Sequence, residues 1–327
     1  MAKLRRLMSP LAPAGRAASS AIDRGERDGL PFLDEVPWAY RSPRFQALGF
    51  DFAIRASNAT VGRYLDDLLR VFRVPGEPSH IYSFIDRAHT SDGGFALYRG
   101  GELVSTTSSP SSVLRHLFWD INRNVIDRTR DLLLFHASAV ELGGRAVVFP
   151  APMGSGKTTL VSGLIQRGAR YLTDEAVAIA PSDLRIRPYP KPLSIDTGSW
   201  EVLRDLRPQI DGSLEPFLEA GWYVPGAAIR NDAIASPCIP RFVIAPRYER
   251  GVPTHLVPIR RSEALVTLAE NCFNITNFGA RESMEILARI VRSSHCYRLT
   301  IGELGDACDA VIELMDASNE GDDGVDP

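Results

Sequence analysis

The chain has 327 residues, 44% hydrophobic and 24% charged, an ordinary globular composition long enough for one large domain or two of average size. Its 37 basic and 40 acidic residues give a net charge of −3, but nine acids and no base lie in Glu303–Pro327, leaving 31 acids against 37 bases in residues 1–302. That small, evenly spread excess argues against a nucleic-acid partner, and the lack of an apolar run of ~18–20 residues argues against an integral membrane protein.

Residues 1–45 mix Arg, Ala, Pro and Gly without periodicity and read as a disordered leader. Met1–Ser20 is basic, but Pro10 and Pro13 interrupt any apolar stretch, which argues against a secretory signal. Order is expected from near Phe50. Alternation over Phe50–Arg55 predicts a half-buried strand, and Val61, Tyr64, Leu65, Leu68, Leu69 and Phe72 recur at helical spacing. Phe95–Arg99 and Glu102–Thr107 flank Gly100-Gly101 as a tight hairpin. Ser109-Pro110 is a helix start, with Val113, Leu114, Leu117, Phe118 and Ile121 as the buried face. Residues 46–130 thus form a small α/β unit, a candidate for substrate recognition.

From Asp131 the pattern changes. Leu132–Phe135 reads as a buried strand, and Ala137–Leu142 and Arg145–Pro150 as a hairpin around Gly143-Gly144. A helix is expected over Lys157–Arg167, stopped by Gly168, with short strands on either side of Asp174-Glu175. Later elements are strands 241–246, 254–258 and 296–300 and helices 263–272, 281–292 and 305–316. Residues 131–317 make the second domain, and 318–327 an acidic frayed tail. Cys238, Cys272, Cys296 and Cys308 are far apart without a CxxC pair, which suits reduced thiols in a cytoplasmic protein.

One segment carries chemistry. Residues 151–159 read Ala-Pro-Met-Gly-Ser-Gly-Lys-Thr-Thr, matching the phosphate-loop pattern at Gly156, Lys157 and Thr158, with Ala151 in place of the first glycine. Strand, tight loop and helix follow in the required order. Met153, Gly154, Ser155, Gly156, Lys157, Thr158 and Thr159 are therefore the candidate nucleotide-binding residues. The loop N–H groups and the helix N-terminus cradle phosphates, Lys157 reaches the β- and γ-phosphates, and the Thr158 hydroxyl ligates Mg²⁺.

Asp174-Glu175 follows at the end of a strand expected to run beside the loop's own strand. One carboxylate there can serve Mg²⁺ and the other accept a proton from an attacking hydroxyl, or the two form a solvated acidic pair. His136 either tunes a carboxylate and positions substrate or is satisfied by backbone. Lys191, stiffened by Pro190 and Pro192, either meets the triphosphate or lies in an exposed loop. The chain has only three lysines, Lys3, Lys157 and Lys191, against 34 arginines. An arginine fork is a poor substitute for a compact ammonium inside a phosphate loop, so Lys157 stands out.

Taken together, His136-Ala-Ser-Ala-Val, the hairpin, Gly154-Ser-Gly-Lys-Thr, Leu164-Ile-Gln-Arg-Gly168 and Leu172-Thr-Asp-Glu175 resemble the catalytic domain of HPr kinase/phosphorylase over about 45 residues (132–180). A looser likeness continues at Tyr189-Pro-Lys-Pro-Leu-Ser194, Cys272-Phe-Asn274 and Tyr297-Arg-Leu. The resemblance implies an α/β fold, a P-loop kinase domain related to phosphoenolpyruvate carboxykinases, preceded by the small N-terminal α/β unit. It also implies ATP and Mg²⁺ as cofactors, Asp174 as general base and Glu175 as metal ligand. The downstream Glu-x-x-Gly signature of true HPr kinases is missing between 181 and 220. The likeness is closer to divergent relatives associated with ribosomally made peptides, lasso peptides among them.

The expected function is thus an ATP- and Mg²⁺-dependent kinase acting on a serine hydroxyl of a peptide or small protein. A small-molecule hydroxyl kinase and a non-catalytic ATP-binding sensor or scaffold are the alternatives. The sequence leaves room for a homo-oligomer. No Asn-Lys-x-Asp motif of a GTPase and no Leu-Ser-Gly-Gly motif of an ABC-type ATPase occurs.

Overall fold

The computed structural model describes residues 33–86 and 93–322, and shows a mixed α/β protein that divides into two compact units. The first comprises residues up to Val125 together with Ile210–Ala220; the second comprises Ile126–Gln209 and the chain from Gly221. Most of the stretch read as leader, 1–32, and the last residues of the acidic tail, 323–327, lie outside the described residues.

In the first unit, β2 (Arg44–Ala47), β3 (Phe50–Ala56), β4 (Arg73–Val74), β5 (Ile81–Ile85), β6 (Phe95–Arg99) and β7 (Glu102–Thr107) form a sheet in the order β4-β2-β3-β5-β6-β7, with β1 (Tyr40–Arg41) pairing β3. Order therefore begins before Phe50, and residues 33–45 correct the expectation of a disordered leader. Tyr40 hydrogen-bonds Asp66 of helix α1 (Ala59–Leu69), and a Cβ at Gly62 would meet the Tyr40 ring, so only glycine admits this approach. Arg55 stacks over Trp38 at 4.1 Å. Isolated aromatic residues without periodicity hide such order from a sequence scan. The core of this unit is aromatic: Phe45, Phe50, Phe52 and Tyr82 pack in tilted, stacked and edge-on pairs, and Phe217 of the 210–220 excursion meets Tyr64, Phe84 and Phe95. Helix α2 (Pro110–Arg128) carries the chain into the second unit.

The second unit is built on a seven-stranded sheet ordered β11-β10-β8-β9-β14-β16-β15, formed by β8 (Leu133–Leu142), β9 (Arg145–Pro150), β10 (Arg170–Ile179), β11 (Ile186–Arg187), β14 (Pro240–Tyr248), β15 (His255–Pro258) and β16 (His295–Ile301). A separate two-stranded ribbon pairs β12 (Leu193–Ile195) with β13 (Trp222–Val224). The β9-β14 and β14-β16 pairs are parallel; β8-β9, β8-β10 and β15-β16 are antiparallel. Beyond the ribbon, Gly226–Ile229 makes one helical turn, α4.

Strands β8 and β10 are apolar on both faces because both are covered. Leu133, Phe135, Ala137 and Ala139 pack with Ala264 and Leu268 of helix α5 (Arg261–Glu270) and Ile286, Leu287 and Ile290 of α6 (Ala280–Arg292). The alternate residues of β8 therefore face helix α3 (Lys157–Gln166), which packs in turn on α7 (Leu304–Asp322).

Four local expectations change. β8 runs unbroken through His136, and β10 unbroken through Asp174-Glu175, so the acidic pair is mid-strand rather than at a strand end. β10 pairs β8 and not the loop's own strand β9, so one strand intervenes. α7 continues to Asp322, past the point where fraying was expected, as its glycine and acids are carried on an established helix. A polar pair inside an apolar run resembles a strand break to a pattern scan, but here neighbouring side chains satisfy both carboxylates.

Candidate functional site

The loop between β9 and α3 is shaped by two glycines, Gly154 at φ 79° and Gly156 at φ 88°, a region that other residues enter only with strain. Gly156 caps α3 with no side chain bonded to the first-turn N–H groups. The Ser155 Oγ is buried without a hydrogen-bond partner, while its carbonyl accepts from the Tyr248 N–H at 3.1 Å. Tyr248 thus ties the loop to the end of β14, and its Cβ would lie 3.3 Å from a Cβ at position 156. Met153, at the loop tip, is 61% exposed. Uncapped N–H groups, an orphaned buried hydroxyl and positive-φ glycines are a cradle that fits a polyphosphate.

Lys157 is only 7% exposed: its Nζ donates to the carbonyls of Ala151 at 2.7 Å and Pro152 at 2.9 Å, and lies 3.4 Å from His136 Nε2. Burial holds its pKa below the ordinary value, against the pull of Asp174 and Glu175. Burial and the Lys157 ammonium push His136 down to about 4, so its imidazole is neutral and can accept. The His136 ring also meets Phe273 edge-on, and its main-chain N–H donates to the Asn271 carbonyl at 2.7 Å. Asn274 then brackets β8, accepting from Leu134 N and donating to Leu132 O, both at 2.9 Å, so Cys272-Phe-Asn274 is the clamp that fixes His136.

Asp174 stands opposite Ser138 in the β8-β10 register, and Ala176 opposite His136. Its carboxylate accepts from Ser138 Oγ at 2.7 Å on one oxygen and from Thr158 Oγ1 at 2.9 Å on the other. Burial raises its pKa, and Lys191 and the two hydroxyl bonds offset that only in part. Glu175 is not bonded to Thr158: its Oε2 pairs with Lys191 Nζ at 3.1 Å, and its side chain is 36% exposed. Burial pushes Glu175 up, but the Lys191 ammonium, with Lys157 beyond it, outweighs that and holds the carboxyl below its usual range. Lys191 is 7% exposed, which removes the exposed-loop alternative, and its carbonyl accepts from Tyr171 Oη at 2.9 Å.

The structure therefore gathers His136, Lys157, Thr158, Asp174, Glu175 and Lys191 around one loop. It adds three groups that sequence reasoning missed. Ser138 lay within the quoted motif, and its period-two spacing from His136 was the available signal. Tyr248 and Ser199, whose hydroxyl is 2.7 Å from Thr159 Oγ1, had no local signal because both come from distant segments. Among the described residues no three His, Cys, Asp or Glu side chains converge as a metal cage. A Mg²⁺ site does not need one, since one or two carboxylates, a hydroxyl and substrate phosphates suffice. All four cysteines are unpaired and buried, and no described helix is long and apolar enough to cross a membrane.

No family model matches the chain, and no curated protein does. Among solved structures, the HPr(Ser) kinase/phosphatase from Coxiella burnetii aligns with 58% of this chain and 99% of that one, at 11% identity and a TM-score of 0.32. A likeness that slight carries no weight, and the site stands on its own residues.

Proposed function

We propose that the protein is an ATP- and Mg²⁺-dependent kinase that transfers the γ-phosphate to a serine hydroxyl of a peptide or small protein. The observation that supports this best is the bonding of Asp174 to Thr158, beside Lys157, in a loop shaped for phosphate. A buried carboxylate bonded to the helix start that follows a phosphate loop has a task in phosphoryl transfer that a purely structural loop does not require.

Asp174 is the general base. Its raised pKa makes it a better proton acceptor, and it already accepts from two hydroxyl groups, the geometry a substrate hydroxyl would use. In the transfer, the acceptor oxygen bonds the γ-phosphorus, the bond to the bridging oxygen of ADP breaks, and the acceptor proton passes to Asp174. Lys157, held by Ala151 and Pro152 carbonyls, is placed to exchange them for phosphate oxygens. Glu175, kept ionised by Lys191, and the Thr158 hydroxyl would hold Mg²⁺, which would neutralise phosphate charge there. His136 and Lys191 position the cation and the carboxylate that flank the phosphate path. Four buried thiols support a reducing, cytoplasmic setting.

Incubation with labelled ATP, Mg²⁺ and serine-containing peptides tests the proposal. Phosphoserine should appear with wild type and vanish with Asp174→Asn, while ATP binding persists. Equal turnover in that variant, or label in no acceptor, overturns it; label in small alcohols alone moves the acceptor to that class.

A further inference from the structure

Beyond the loop and the acidic pair lies an aromatic stack. Trp200 and Trp222 are stacked, their ring planes 4° from parallel and their centroids 5.0 Å apart. Trp222 is buried and fixed in the ribbon opposite Ile195, and Trp200 is half-buried, its Nε1 donating to the Ile195 carbonyl at 3.3 Å. One Trp200 face is thus backed by Trp222, and its single ring donor is committed. What remains is a rigid, partly exposed indole surface with no hydrogen bond to offer.

Its position links it to the phosphate loop. Ser199, the preceding residue, hydrogen-bonds Thr159 at 2.7 Å. Thr158 and Thr159 are consecutive in α3, so their side chains diverge by about 100° around the helix. Thr158 is committed to Asp174, on the side that would meet the γ-phosphate under the proposed function. Thr159 is committed to the segment carrying the indole. The loop therefore has an acidic flank and an aromatic flank, and a nucleotide whose γ-phosphate meets the first directs its nucleoside away from it.

We infer that Trp200 is the base platform of the nucleotide site, stacking a purine of a nucleoside triphosphate without reading its edge. This rests on the phosphate-loop assignment and deepens it. Stacking accepts any base with a π-face, and with Nε1 occupied Trp200 cannot distinguish the 6-amino group of adenine from the 6-oxo group of guanine. On this platform ATP and GTP are equivalent.

Binding of ATP, GTP and inorganic tripolyphosphate to the full chain in Mg²⁺, followed by calorimetry, tests this. In wild type ATP and GTP should agree within about five-fold. Trp200→Ala should weaken both roughly five- to hundred-fold, leave tripolyphosphate within about two-fold, and Trp200→Phe should regain most of the loss. Independently of any variant, ATP should quench wild-type tryptophan fluorescence and tripolyphosphate should not. An unchanged ATP affinity in Trp200→Ala, an equal loss for tripolyphosphate, or an effect on the acceptor alone overturns the platform while the phosphate loop stands. Wild-type protein that binds neither ATP nor tripolyphosphate overturns the phosphate loop and the platform together.

Discussion

The Thr158 hydroxyl donates to Asp174 across 2.9 Å, although the strands bearing the loop and the carboxylate are not neighbours in the sheet. The bond joins the metal-ligand candidate to the base candidate, so a change at either residue is felt at both. Asp174→Asn keeps a side chain of the same shape that can still bond Ser138 and Thr158. Its turnover is expected to fall by about 10²–10⁴ with ATP affinity changed only a few-fold, checked by single-turnover transfer alongside calorimetry.

Ser138 is wholly buried, and its hydroxyl stabilises the ionised form of Asp174. Ser138→Ala should cost about 1–3 kcal/mol in urea unfolding, as expected for a buried bond to a charged acceptor. It should also raise the Asp174 pKa further, moving the acid limb of the pH–rate profile to higher pH. A stability loss without that movement would mean Ser138 only packs.

Lys157 converges on two carbonyls and an imidazole, a space fitted to an ammonium. Lys157→Met and Lys157→Arg are both expected to lower ATP affinity by about a hundred-fold or more, the guanidinium being too wide to rescue. Recovery in the arginine variant would show that charge alone is needed.

Removing Lys191 leaves Glu175 without its cation. The sign follows from linkage: a carboxyl held low in the folded state stabilises above its unfolded pKa of 4.5, and that contribution is lost as pH falls through the lower folded value. Lys191→Met should therefore be less stable at pH 7 by about 1–2 kcal/mol, between the values for exposed and buried pairs. The difference from wild type should shrink in acid. A difference independent of pH would assign Lys191 to packing.

His136 has the opposite chemistry and a separate window. Folded, it titrates near 4; unfolded, near 6.5, so between those values the unfolded chain binds the extra proton and stability falls as pH falls. His136→Gln should flatten the stability–pH curve over that range by up to about 1.4 kcal/mol per pH unit. Comparing variant with wild type isolates this slope from the contribution of Asp174, whose raised pKa acts in the other sense.

The sequence by itself determined the local pieces: the hairpin turns, the glycines that curl the loop before α3, and the lysine that no arginine replaces. Those rest on φ/ψ limits and on side-chain chemistry within a few residues, which a linear reading sees. Tertiary structure alone decided that Asp174 meets Thr158 while Glu175 meets Lys191, that β8 lies between β10 and β9, and that Ser199 and Tyr248 hold the loop. Each depends on register and crossover between segments far apart in the chain, and a one-residue slip would send every side chain of a strand to the other face. Period-two and helical patterns specify which face is apolar; they do not specify which strand comes to lie beside it.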